Sequence, residues 1–241
     1  MKAHNIRAHY IGWTGNGHIN RINVSHAFYQ VLGHDDFNAI AGHYVTLNAQ
    51  MGALELSLDK DWIRYRASFF YGSGDKNPRD NTATGFDAIR DTPTFAGGLF
   101  SFWNREGIRL TGTGVGLMNP ESLLPSLRSD KDEGQANFVN PGIFIYNLGA
   151  DFDLTPKIRA VVTGSYLRFA RTAVIEQLEF QAPIRSTIGQ DYGLGVIYRP
   201  PLSENIVFTG GVSALVPGQG LRDIYTSKTL FSTFGTVKFQ F

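Results

Sequence analysis

The sequence predicts an all-β protein, an antiparallel up-and-down sheet forming a transmembrane β-barrel, with about nine strands in this chain. Three observations predict it. Apolar and polar residues alternate with period two through segment after segment, and tight turns alternate with long connections along the chain. The chain also ends on "TVKFQF", where Val237, Phe239 and Phe241 alternate with Thr236, Lys238 and Gln240 up to the final carboxylate. Chain ends ordinarily fray into water, so an apolar stripe kept to the last residue points to an apolar environment.

In chain order, "NIRAHYIGW" (5–13) sets Ile6, Ala8 and Tyr10 against Asn5, Arg7 and His9. "RINVSHAFY" (21–29) sets Ile22, Val24 and Phe28 against Arg21, Asn23 and Ser25, with His26 on the apolar face in a structural role. From Tyr44 to Leu58, Leu47, Ala49 and Met51 share one phase and Leu54, Leu56 and Leu58 the other, which predicts a β-bulge at Gly52. "WIRYRASFFYG" (62–72) carries the clearest alternation, opposing Ile63, Tyr65, Ala67, Phe69 and Tyr71 to Arg64, Arg66 and Ser68. Phe144, Tyr146, Leu148, Ala150 and Phe152 oppose Asn147, Gly149, Asp151 and Asp153. Four more strands are expected near 157–170, 187–199, 204–216 and 229–241, and no helix is predicted.

Tight turns at 14–18 ("TGNGH"), 59–61, 155–157 and 200–204 alternate with loops at 33–43, 74–141, 171–186 and 217–228. In a meander every second connection lies at the same rim, so all the short turns share one rim and all the long loops the other. Transmembrane barrels have this asymmetry, with short periplasmic turns and long extracellular loops. Residues 1–241 read as a single β-barrel domain, and 74–141 as a long extracellular or lumen-folded segment. A connection of that length is functional or disordered, and "GGLFSFWNREGIRL" within it is too aromatic for disorder.

Composition narrows the function classes. With 22 basic against 21 acidic residues, bulk charge gives no support to nucleic acid as a partner. The chain has no cysteine, which excludes disulfides and thiolate metal sites, while 27 Gly, 18 Phe and 10 Tyr suit strands and their turns. No stretch approaches the roughly 18 unbroken apolar residues of a membrane helix. Met1, Lys2, Ala3 and His4 run into a patterned segment without the apolar core of a signal peptide.

Alternation alone does not say which face points inward. A soluble lipocalin-like barrel packs its apolar face inside, whereas a membrane barrel turns it out to lipid. Three features favour lipid. Ionised residues (Arg64, Arg66, Glu55, Asp151, Asp191) sit in mid-strand on the polar face, and aromatics (Trp62, Tyr71, Tyr198, Phe239) sit near strand ends on the apolar one. The third is the terminal strand: ending in Phe239 and Phe241, it resembles the C-terminal signal read by the barrel-assembly machinery of bacterial outer membranes.

"FYGSGDKNPRDNTATGFDAI", "PTFAGGLFSFWNREGIRL", "LLPSLRSDKDEGQANFVNPG" and "LSENIVFTGGVSALVPGQGLRDIY" together resemble the C-terminal half of the alginate-export family of outer-membrane barrels, over roughly 44–241. The resemblance implies a barrel of about eighteen strands that passes an anionic polysaccharide, or another anionic or polar solute, through an arginine-lined lumen. Against that pattern the chain lacks the first half of the barrel and the signal peptide. It is therefore expected to be a C-terminal portion, or a reading begun at an internal Met, with 3–13 and 229–241 as open edges.

On the polar faces, Arg7, Arg21, Arg64, Arg66, Arg159 and Arg199 are the candidate anion path, because guanidinium forks bind carboxylate or phosphate and stay charged. Rings of like charge set ion preference in pores. The alternative is that each arginine pairs with an acidic partner, Glu55, Asp151, Asp153 or Asp191, and only neutralises it. The loop residues Asp75, Asn77, Asp80, Asn81 and Asp87 carry oxygens suited to Ca²⁺, but Arg79 stands at the fifth position and no glycine follows, so Asx turns are expected and no metal is assigned. "GTGVG" (112–116) lacks the third glycine of a dinucleotide fingerprint. Neither H-E-x-x-H nor G-x-S-x-G occurs, no catalytic residue is identified and no cofactor is expected. The expected location is the bacterial outer membrane, with lipid as a partner. A structural or adhesive barrel without permeation, and an outer-membrane hydrolase, are the alternative functions.

Overall fold

The computed structural model describes residues 4–89, 94–128, 135–201 and 205–240. Nine long strands run β1 (Ile6–Ile19), β2 (Ile22–Asp35), β3 (Val45–Lys60), β4 (Ile63–Gly72), β5 (Ile143–Thr155), β6 (Ile158–Phe169), β7 (Thr187–Tyr198), β8 (Ile206–Pro217) and β9 (Leu230–Phe239). Each pairs antiparallel with its neighbours in sequence, giving one up-and-down sheet. The path ends at β1 and β9, which run in the same direction and are not paired with each other.

Two-residue turns close the β1–β2 and β3–β4 hairpins, and their first residues, Asn20 and Asp61, take φ of 54° and 55°. Asn and Asp tolerate this left-handed region better than other side chains. The turn expected at 14–18 is instead strand, and the reversal comes at Asn20–Arg21. Gly15 within β1 leaves room for the imidazole of His26, which would stand 2.6 Å from an added Cβ and packs edge-on against Trp13. Between β5 and β6 the Thr155 hydroxyl accepts from the backbone N–H groups of Lys157 and Ile158.

The expected bulge at Gly52 is absent, since β3 pairs in unbroken register with both neighbours. The change of phase is real, and its cause lies across the sheet. Leu47 and Ala49 are buried on the face covered by the described residues of 73–142, hereafter the insert, whereas Leu54 and Leu56 are exposed on the opposite face. One strand is apolar on its inner face near the long loops and on its outer face near the short turns.

The long connections are not plain loops, and among the described residues three short α-helices form in them: α1 (Phe102–Arg105), α2 (Ala173–Glu179) and α3 (Gln219–Ile224). They are too short to show a helical period, and buried Val174, Ile175, Leu221 and Ile224 hold the last two in place. The insert adds a two-stranded ribbon, Ile108–Arg109 with Gly116–Met118, and the pair Thr82–Ala83, which extends β3 in parallel. It packs on one face of the sheet, and its Phe86, Trp103, Leu117 and Phe138 share a core with Val31, Ala49, Phe70, Ile145 and Leu167 of the strands. At its base, Gly74 lies so close to the Pro141 carbonyl that a Cβ would sit 2.0 Å from the oxygen. Among the described residues no helix is long and apolar enough to cross a membrane.

Candidate functional site on the inner face

The insert reaches from one edge of the sheet to the other. At β1, Tyr10 donates its hydroxyl to the Asp87 carbonyl (2.9 Å); at β9, Ser232 bonds Glu106 and Phe234 packs on Phe100. The inner face of all nine strands is thereby defined, and it has two zones. Toward the long loops it is apolar and filled by the insert. Toward the short turns it is polar.

Alternating charge crosses four adjacent strands in the polar zone. Arg64 of β4 grips its cross-strand partner Asp59 of β3 through Nε (2.5 Å) and Nη2 (3.0 Å). Arg66 reaches Asp151 of β5 at 2.6 Å, and Arg159 of β6 holds Asp153 through Nε (2.6 Å) and Nη2 (3.0 Å). Glu55 accepts the Ser68 hydroxyl at 2.8 Å. The outer pairs are about half exposed and each contributes at most ~1 kcal/mol. The more enclosed Arg66–Asp151 pair (side chains 22% and 10% exposed) is the one whose separation would leave a poorly solvated charge.

Not every expected arginine is there. Arg7 lies on the outer face, opposite His34, because in β1 the apolar set Ile6, Ala8 and Tyr10 turns inward against the insert. Arg21 sits in the β1–β2 turn, and Arg199 follows the end of β7 at the short-turn rim, beside Lys157 and Arg159. Asp191 is on the inner face but is not an arginine's partner in a wet lumen. Fully buried, it accepts the Ser101 hydroxyl and the backbone N–H groups of Phe102 and Trp103 (both 3.0 Å). It thus caps the first turn of α1 and pins the insert to β7. Phe239 ends β9 at the short-turn rim; Phe241 lies outside the described residues.

The loop carboxylates do not converge. Asp75, Asn77 and Asp80 each accept a backbone N–H two residues on, from Asn77, Arg79 and Thr82, as Asx turns do. Asp87 is buried and binds Arg128 Nε (2.7 Å) and the Asn137 N–H (2.7 Å). Burial pushes the Asp75 carboxyl up to about 6. Among the described residues no group of three or more His, Asp or Glu could hold a metal. The "GTGVG" stretch is the tip and second strand of the ribbon, where Gly112 N–H (2.9 Å) and Thr113 Oγ1 (3.2 Å) bind the Glu179 carboxylate of α2.

Sequence reasoning missed the wall that receives the insert. Gly193 and Gly195 of β7 and Gly211 of β8 face inward, and Phe100 lies directly on them: an added Cβ would come within 1.9 Å of the Phe100 carbonyl at Gly193 and 2.0 Å of its ring at Gly195. Arg105 lies over the Phe234 ring at 4.3 Å and donates to Ser213 at 3.0 Å. The signal was in "YGLGVIY", where glycines alternate with apolar residues; glycine inside a strand often marks a close backbone approach.

The outer face carries an exposed apolar band. Tyr65, Leu148, Val162, Leu194 and Val212 are exposed at mid-strand, Leu148 by 70%. Aromatic rows border this band, with Tyr71 stacked on Phe144 toward the long loops and Tyr198 stacked on Phe208 toward the short turns. Beyond it, toward the long loops, the same face turns polar at Arg7, His34, Thr46, Asn48 and Arg168. Compared with protein-family models and with curated proteins, the chain matches none.

Proposed function

We propose that these nine strands form part of the wall of a bacterial outer-membrane β-barrel, of the kind the alginate-export resemblance implies, through which an anionic polysaccharide or another anionic or polar solute passes. The observation that carries this reading is the exposed apolar band between two aromatic rows, set back to back with a charged inner face. From Ile63 to Tyr71 the band runs about 26 Å along the strand at ~3.3 Å per residue. Tilted by ~40°, it would stand roughly 20 Å high, near the ~25 Å of known barrels. Lipid is the solvent that suits it, and the terminal strand is the segment an assembly machinery would read.

Arginine at Leu148 tests this. In lipid vesicles the Leu148→Arg chain should lose about 2–4 kcal/mol of unfolding free energy, the cost of a cation near the bilayer midplane. Guanidinium unfolding followed by tryptophan emission measures it, and an unchanged midpoint would sink the membrane reading.

Passage is a separate question, because the insert fills the long-loop half of the inner face. That one observation favours a second reading, a closed structural or adhesive barrel. Planar-bilayer recording of the barrel completed by the further strands that the unpaired edges β1 and β9 require distinguishes them. A pore should show discrete conductance, and replacing Arg64 and Arg66 together by Gln should shift the reversal potential toward cations, because Asp59 and Asp151 lose their partners. Absence of any channel would support the closed barrel.

A further inference from the structure

We infer that the long-loop rim carries a binding pocket for a monocarboxylate with a bulky apolar body. A cavity of about 750 Å³ lies between the ribbon of the insert, the β2–β3 connection, α2 and the end of α3. That is within the roughly 300–1,000 Å³ of small-molecule sites. Its walls are set by contacts outside the cavity. Glu179 holds the ribbon tip to α2, and Thr111 bonds the Ile224 carbonyl of α3 through its N–H (3.1 Å) and hydroxyl (2.9 Å). The pocket is therefore preformed, which lowers the ordering cost of binding.

The lining specifies the ligand. Ile40, Val115, Met118, Leu178 and Tyr225 give it apolar walls. Its only charged side chains among the described residues are Arg109 and Arg128. Arg128 is committed to Asp87, which neutralises it. Arg109 is exposed at the cavity and makes no hydrogen bond or ion pair with any described residue, so one guanidinium fork is available beside an apolar chamber. Asn119 also lines the cavity, so a carboxylate put in its place would add negative charge to the same chamber. A single carboxylate matches one fork. A body of about fifteen non-hydrogen atoms suits a chamber of this size. A sugar acid would place hydroxyls against apolar walls, where each unpaired one is costly. The site goes beyond the pore reading and does not depend on it.

Calorimetric titration of the full chain, refolded in detergent micelles, tests the assignment with biphenyl-4-carboxylate, its neutral isostere biphenyl-4-carboxamide, and D-glucuronate. The acid should bind at least tenfold tighter than the amide, which controls for partition into micelles, and tighter than glucuronate. Arg109→Gln should remove the preference for acid over amide while leaving the amide's affinity unchanged, and Asn119→Asp should weaken the acid alone. Equal binding of acid and amide, retention of the preference in Arg109→Gln and in Asn119→Asp, tighter binding of glucuronate, or no binding of any probe would each overturn it.

Discussion

Valine at Gly193 should release the insert from the wall while leaving the strand pairing intact. The Cβ alone would stand 1.9 Å from the Phe100 carbonyl oxygen, a distance that only backbone movement relieves. Phe100 directly precedes Ser101, so any shift also pulls Ser101, Phe102 and Trp103 off the Asp191 carboxylate. That leaves a buried carboxylate without donors, a cost added to that of the clash. The combined penalty should exceed about 3 kcal/mol and show as loss of docking. Tryptophan emission reads it directly: of three tryptophans, Trp103 is fully buried and Trp13 and Trp62 are 71% and 52% exposed. Red-shifted emission and rapid proteolysis within 94–110, with unchanged β-sheet circular dichroism, is the expected result. A blue-shifted, protease-resistant Gly193→Val chain would show that the insert is held elsewhere.

The second large effect concerns the edges. β1 and β9 each leave a row of backbone N–H and C=O groups without a strand partner among the described residues, and the exposed apolar residues Ile11, Trp13, Phe231 and Phe239 lie on these same strands. In hydrocarbon each unpaired group costs several kcal/mol. Because the two strands run the same way, antiparallel closure needs an odd number of further strands between them. A second copy set side by side in the same orientation would pair β9 with β1 in parallel, so it does not supply that closure. The 241 residues by themselves should therefore fail to give the heat-modifiable, protease-resistant monomer of a closed barrel. Amide exchange in micelles should be fast at outward-facing groups of β1 and β9 and slow in β4 to β7. Slow exchange at both edges, in a monomer, would mean that the two strands close on each other.

Much of the sheet was legible because alternation is unbroken from Ile63 to Phe69 in β4 and from Tyr146 to Asp153 in β5, as Tyr65, Phe69, Tyr146 and Leu148 against Arg66, Asn147 and Asp151 illustrate. Period two states which residues share a face but not which face turns inward. That ambiguity misplaced Arg7: near the long loops an apolar side chain such as Tyr10 is inward because the insert covers it. The same cause made the phase change at Gly52 look like a bulge. The charge row was legible as a set of residues and not as pairs, since Arg66 and Asp151 are 85 positions apart and only strand order brings them together. The capping role of Asp191 was out of reach, because its partners lie about 90 residues earlier on a helix of four residues that carries no pattern of its own.

The insert also bears on how the chain acquires its shape. It stands between β4 and β5, which pair Gly72 with Ile143, so that one pairing must close a loop of some seventy residues, while the flanking β3–β4 and β5–β6 hairpins close over two. Loop closure of that length is slow in an unstructured chain. A pre-collapsed insert shortens the search, because Asp75 already bonds the Asn140 carbonyl and Gly85 that of Phe138, drawing its ends together. Until it has collapsed, Val31, Leu47, Phe70 and Ile145 present bare apolar surface on what will become the inner side. The expected order is that β1 to β4 and β5 to β9 form as two ribbons and zip together once the insert condenses, which folding rates of insert and strand variants would test. Delay at the middle step would leave sticky half-sheets, so destabilising variants of the insert should appear first as aggregation during biogenesis and only later as altered function.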